Sequence, residues 1–341
     1  MMKAAIFHGS EGGLRIEEMP IPEVGPDQIL VKVAACGVCH TDLHYIEHGV
    51  PTFKKPPIVL GHEASGTVDK VGGDVTALTV GQRVLIPAVL TCGRCVACRQ
   101  GRENICSNMT MLGNHFDGAY AEFVAVPAKD VLPLPDSIPL EDASIIADAV
   151  STPYHAVKNR AKVQPGDTVV VFGCGGVGVN VVQLAAAAGG YVIAVDINDR
   201  KLDWAKEFGA ALTVNASKVE RIDKEIKKLT GGGADIAIEV IGNPKTIEQA
   251  FDCVRPGGRL CVVGYTPEAI SIIAGKIMFK ELEIVGSLGC RPVDYPPLIR
   301  MVEQGKVDLQ RLITHRFPLD ELQKAFDVMK EGVSLRSIVI P

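Results

Sequence analysis

The chain has 341 residues, with 35 Lys and Arg against 40 Asp and Glu and a formal charge of −5. Domains commonly span ~100–200 residues, so two domains with sizeable cores are expected, and a 47% hydrophobic, 22% charged composition excludes a disordered chain. The mildly acidic balance argues against nucleic acid as a partner, and no stretch reaches the ~18 uninterrupted apolar residues of a membrane span.

The opening MMKAAIFHGSEGGLRIEE has no basic region leading into an apolar stretch, so no secretory signal and a cytoplasmic location are expected. Ten cysteines in that compartment stay reduced, and a cysteine cluster there points to metal or catalysis before disulfides. Up to residue 149 the pattern leans to strands. Runs rich in Val, Ile and Ala at 29–34, 64–71, 83–90 and 120–126 are punctuated by Gly, Pro and Asp. From about residue 150 strands alternate with helices. Strands are predicted at 168–172, 191–196, 234–240, 260–263 and 282–285, and helices at 177–188 and 200–208. The tail predicts a helix over 318–331 and a short strand at 338–340. The fold class is therefore α/β plus β-rich. Residues 1–149 and 290–341 are expected to form a β-rich domain, and 150–289 a doubly wound parallel-sheet domain.

The strand at 168–172 runs straight into Gly173, Cys174, Gly175, Gly176, Val177 and Gly178 and then a helix. Glycines in that context permit a tight turn and close approach of a pyrophosphate, which sits on amide donors at the helix N-terminus. The next strand ends at Asp196, whose carboxylate suits the two ribose hydroxyls and repels a 2′-phosphate, so NAD is expected over NADP. Lys201 is a candidate second ribose contact. Val240 and Val263, at the ends of later strands, complete the predicted cofactor side.

Cys92, Cys95, Cys98 and Cys106 give C-x2-C-x2-C-x7-C. Four thiolates from one loop can close a tetrahedral site, which suits a structural zinc because no position remains for a substrate. A thiolate and an imidazole on separate segments, in Cys36-Gly37-Val38-Cys39-His40-Thr41-Asp42-Leu43-His44 and Gly61-His62-Glu63, are two ligands of an open zinc site.

With these motifs the chain resembles the zinc-dependent medium-chain alcohol dehydrogenases over essentially its whole length; Gly332-Val333-Ser334-Leu335-Arg336-Ser337 near the end adds to the match. The resemblance implies a GroES-like β-rich catalytic domain carrying both zincs and a Rossmann domain for NAD. It makes Cys39 and His62 ligands of the catalytic zinc, and Glu63 a carboxylate that can approach the metal. Asp42 would orient His62, and Thr41 and His44 would relay the alcohol proton outward. His40 and Arg336 would be cationic contacts to the pyrophosphate. Cys36 has no counterpart among the ligands and is read as a packed thiol.

The sequence departs from the commoner family pattern at the third ligand, where alignment on Ser151-Thr152-Pro153-Tyr154 puts Asp148; a cap on a helix starting at Ala149 is the competing reading. The implied activity is reversible hydride transfer from a primary or secondary alcohol to NAD, with a small alcohol or carbonyl as partner and a homodimer or homotetramer built through the Rossmann edge. A cyclic hydroxyacyl-CoA or a polyol is an alternative substrate, with Lys54-Lys55 as a basic entrance for CoA. A catalytically silent nucleotide-binding relative is the alternative of another class.

Overall fold

The computed structural model describes residues 1–341, and the chain folds into two compact units: Met1–Ser151 with Gly289–Pro341, and Thr152–Leu288. In the first unit, the strand Gln28–Gly37 departs from the alternation of a half-exposed strand. Its run Ile29, Leu30, Val31 is wholly buried because the strand is covered on both faces. It pairs antiparallel with Glu63–Val71, Phe123–Pro127 and the C-terminal strand Arg336–Ile340. A smaller sheet joins Leu14–Met19, Met2–Phe7 and Ile58–Val59. Tyr120, Phe326, Leu60 and Ile86 are among the large side chains buried in this unit.

Register positions the chemistry. Gly37 pairs with both Glu63 and Ile338, so the end of one strand, the start of the next and the last strand of the chain meet at one point. Cys39 leaves the first of these strands just beyond that point, and His62 enters the second just before it.

The second unit is a six-stranded parallel sheet in the order Leu212–Asn215, Tyr191–Asp196, Thr168–Phe172, Ala234–Glu239, Val254–Val262, Glu283–Gly286. Numbered within the unit this is 3-2-1-4-5-6, the order of dinucleotide-binding sheets, with the ligand crevice at the carboxyl ends where the order reverses. The fold class read from the sequence holds. Several local expectations change. The run 83–90 is two strands, Arg83–Ile86 and Val89–Leu90, interrupted at Pro87, whose missing N–H breaks a ladder. The predicted helix over 318–331 is a 3-10 turn, Leu319–Glu321, leading into Leu322–Lys330. The motif after Cys39, which carried no helix prediction, is the helix His40–Ile46. No helix is long and apolar enough to cross a membrane.

Candidate active site and cofactor loop

Cys39, His62, Glu63 and Asp148 come together: one donor atom from each lies within 4.8 Å of the others. The His62 ring is almost fully buried, with Nε2 3.8 Å from Asp148 Oδ2 and Nδ1 3.5 Å from Asp42 Oδ1. Asp42, on the helix His40–Ile46, is held by Tyr120, whose hydroxyl donates to Asp42 Oδ2 at 2.8 Å. Gly61 precedes His62 at φ +92°, and a Cβ there would fall 2.9 Å from Cys36 Sγ and from the Tyr120 ring. Only glycine lets the chain turn His62 inward at that spot. Cys36 itself is buried, and burial pushes its thiol well above the ordinary range.

The cluster fits a cation. Both His62 ring nitrogens, Asp42 Oδ1 and Glu63 Oε2 are buried with no hydrogen-bond partner, an arrangement that is costly unless something positive joins it. Burial alone would discharge His62, yet the neighbouring Asp42 and Cys39 charges outweigh that and raise its pKa well above an ordinary imidazole. One thiolate, one imidazole and a carboxylate are ligand types that leave zinc an open position.

Asp148 is not the cap of a helix beginning at Ala149. It stands at φ −143°, ψ −53°, in a break between the 3-10 turn Asp142–Ala147 and the helix Ser151–Tyr154. The preceding Ala147 carbonyl accepts from two buried hydroxyls, Tyr295 at 2.7 Å and Ser151 at 3.0 Å, which hold the break open. Tyr295, 148 residues beyond Ala147, carried no sequence signal for this task, and neither did Tyr120.

Arg336, expected as a pyrophosphate contact, stands beside Glu63. Its guanidinium is buried, with Nη2 2.7 Å from Glu63 Oε1 and Nη1 donating to the Val38 carbonyl at 3.0 Å. The cause is sheet register, which sets the C-terminal strand beside Gly37 and the start of the Glu63 strand. Burial lifts the Glu63 carboxyl to about 7 against the opposing Arg336 charge. His40 is exposed at the first position of its helix. Thr41 Oγ1 lies 3.6 Å from Cys39 Sγ, and His44 Nδ1 lies 3.0 Å from His48 Nδ1, a partner the sequence did not suggest. Lys54 Nζ pairs with Asp117 at 2.6 Å, so half of the basic pair considered for CoA is already neutralised.

The four lobe cysteines form a second cluster, with Sγ separations of 3.9 Å (Cys92–Cys98), 3.5 Å (Cys95–Cys98), 3.8 Å (Cys95–Cys106) and 3.4 Å (Cys92–Cys106). Tetrahedral zinc with ~2.3 Å bonds separates its sulfurs by about 3.8 Å, whereas a disulfide would need ~2.05 Å. Hydrogen bonds from the Cys98 and Ser107 backbones hold the Cys95 thiol down at about 5, and those from Arg94 and Cys95 hold Cys92 at about 7. Burial pushes Cys98 up to about 12.

In the second unit the glycine loop is anchored by Asp196. Its Oδ2 accepts from Cys174 N at 2.8 Å and its Oδ1 from Asn198 N at 3.0 Å. A Cβ on Gly178 would sit 1.8 Å from the Gly173 carbonyl, whereas one on Gly175 would meet nothing within 4 Å. Gly178 thus serves close packing, and Gly175 leaves an open backbone face at the start of the helix Gly178–Ala187. Gly176 accepts from the Asn180 side chain, and Val177 is the residue before the helix. Val240 lies over Gly173 and Gly178, and Val263 N bonds to the Glu239 carbonyl. Lys201 sits on the helix Asp199–Glu207, close enough for its charge to act on Cys174. Glu239, unremarked in the sequence, accepts from Ile241 N, Gly242 N and Thr246 Oγ1 and fixes the loop beyond Val240.

Family models agree with both units: an alcohol dehydrogenase GroES-like domain matches residues 25–136, and a zinc-binding dehydrogenase domain matches 176–304. A sorbitol dehydrogenase of Bacillus subtilis (strain 168) is 35% identical over 96% of this chain and 93% of its own length. The chain belongs to the zinc-dependent medium-chain alcohol dehydrogenases. Another relative, an alcohol dehydrogenase of Geobacillus stearothermophilus, is 36% identical over 97% of each chain. A zinc-binding dehydrogenase from Sinorhizobium meliloti 1021, solved bound to NADP, superposes with a TM-score of 0.91 at 33% identity and covers 100% of this chain and 99% of that one. Membership makes this protein a zinc-type oxidoreductase acting on CH–OH groups, with a nicotinamide dinucleotide as its redox cofactor.

Proposed function

We propose that this dehydrogenase oxidises a small primary or secondary alcohol, polyols among them, with NAD. The alcohol and oxidised NAD give the aldehyde or ketone, NADH and one proton. The observation that carries the reading is His62, buried among Cys39, Glu63 and Asp148 with both ring nitrogens unsatisfied. Cys39, His62 and Asp148 would hold a zinc ion, whose chemistry there would be Lewis acidity toward an alcohol hydroxyl, and a bound nicotinamide ring would be the hydride acceptor.

The chain's own residues do the rest. Asp42, fixed by Tyr120, holds the Nδ1 side of His62 so that Nε2 faces the donor cluster. Glu63, held by Arg336, stands beside the ligands as a reserve carboxylate. Thr41 Oγ1 accepts the alcohol proton as its own O–H proton passes on to His44, which carries it outward. Gly173, Gly175, Gly176, Val177 and Gly178 receive the pyrophosphate, with His40 as a cationic contact. Asp196 has lone pairs beyond those used by Cys174 and Asn198, and these accept the ribose hydroxyls; its charge repels a 2′-phosphate. Lys201 adds a ribose contact, and Val240 and Val263 line the nicotinamide side. The lobe cysteines hold a second, structural zinc.

Homo-oligomerisation through the free edge of the parallel sheet is part of the same reading. The edge strand Glu283–Gly286 has one unpaired side, and the helix Ala274–Lys280 buries none of its residues. Met278 is 73% and Phe279 86% exposed. A second copy would cover both.

The test is NADH appearance at 340 nm across primary, secondary, cyclic, polyol and CoA-linked alcohols. Turnover of small alcohols is expected. No turnover with any of them would leave the silent-relative reading standing.

A further inference from the structure

The pair His44 and His48 is not explained by a relay that ends at His44. The rings lie with Nδ1 atoms 3.0 Å apart, centroids 5.1 Å apart and planes inclined at 49°. This is an edge-on hydrogen bond, not a stack. Two Nδ1 atoms at that distance require one ring to carry the proton and the other to offer a lone pair. Each ring then has its Nε2 left as a second port.

The segment carrying His48 is held in place. Glu47 N bonds to the Leu43 carbonyl at 2.8 Å and Val50 N to the His44 carbonyl at 3.1 Å, closing the turn around Gly49 at φ +67°. Glu47 is also tied at 2.9 Å to Lys330, which in turn pairs with Asp327. His44 is partly buried, whereas His48 is exposed. Burial and the nearby His48 lower the pKa of His44, so this ring does not hold on to a proton it receives.

We propose that His48 is the outer member of the proton path, receiving the alcohol proton from His44 and delivering it to solvent. This rests on the reading of Thr41 and His44 as a relay. A proton arriving on His44 Nε2 makes an imidazolium, whose Nδ1–H bond breaks as a new N–H bond forms at His48 Nδ1. His48 then releases its Nε2 proton to water. One proton enters and one leaves, and no electrons move. The pair ends with its hydrogen bond reversed, poised for the carbonyl-reducing direction, and proton exchange with water restores the starting tautomers.

A merely structural role for His48 makes a different prediction. Asparagine can accept a hydrogen bond from His44 and hold its ring, but it cannot carry a proton. The experiment is stopped-flow turnover of the holoenzyme with NAD and the alcohol that the panel identifies. A pH-indicator dye reports proton release while absorbance at 340 nm reports NADH. In both His48→Asn and His48→Ala, proton release should slow by about tenfold or more, a loss within the range of a general acid–base group, and added imidazole should restore it. Release at the wild-type rate in His48→Asn, or slowing that imidazole fails to relieve, would overturn the proposal. His44→Asn separates the two layers. Normal proton release in that variant, or no turnover by the wild type, would defeat the relay and this extension together. Slow release in His44→Asn beside normal release in the His48 variants would defeat the extension alone.

Discussion

Asp148 and Asp196 are the residues on which the chemistry is most exposed to test. At Asp148 the sequence offered two tasks, ligand or helix cap, and the helix begins too late for the second. Asp148→Ala should leave one zinc equivalent per chain instead of two and lower kcat/KM by roughly a thousandfold, the scale of losing a metal-centred transition-state contact. Asp148→Cys should keep two zincs and part of the activity, since thiolate is an established zinc ligand. Two zincs and full turnover in Asp148→Ala would hand the third ligand position to Glu63. At Asp196 the loss of charge removes repulsion from a 2′-phosphate, so Asp196→Gly should raise the ratio of NADP to NAD efficiency by about 100-fold, equivalent to ~3 kcal/mol. The same change strips Cys174 N of its acceptor, so efficiency with NAD should fall as well. Steady-state kinetics with both cofactors checks this, and a wild type that prefers NADP would contradict it.

The four-cysteine lobe is the element whose form would depend most on a bound metal. Its regular structure amounts to the short helix Val96–Arg99 and the 3-10 turn Glu103–Ile105, too little to order the loop without a crosslink. Cys95→Ala should release the structural zinc and lower Tm by on the order of 10 °C, as expected from losing a few kcal/mol in a domain of this size. Calorimetry and metal analysis read the two effects separately, and the zinc at Cys39 and His62 should remain. The break that presents Asp148 is held differently. Two hydroxyls on one carbonyl, each worth ~1 kcal/mol, keep a non-helical residue in position between two helical turns.

At the scale of the molecule, the free sheet edge and the apolar face of the helix Ala274–Lys280 predict self-association. Light scattering should show a dimer or tetramer for the wild type. Phe279→Asp with Met278→Asp should shift it toward monomer while leaving the parallel sheet folded, because neither side chain is buried in the chain itself. A monomeric wild type would remove the sheet-edge reading.

What the sequence determined by itself was set by short spacings. A strand, a glycine loop, a helix and an acid at the next strand end are consecutive in the chain, so their geometry follows from local rules. Four cysteines within fifteen residues likewise need no distant partner to form a tetrahedral cluster. The family motifs pointed to Cys39 and His62 in the same way. Tertiary structure decided the rest, because it depends on which distant strands lie side by side. The pairing of Gly37 with both Glu63 and Ile338 turned Arg336 inward, and it came from strands far apart in the chain. Tyr120 on Asp42 and Tyr295 on the carbonyl before Asp148 are long-range contacts that their neighbours in sequence gave no reason to expect, whereas His44 and His48, four residues apart at a helix end, are a local pair. Hydrophobic pattern sets which residues are buried, but sheet register decides which buried polar groups meet.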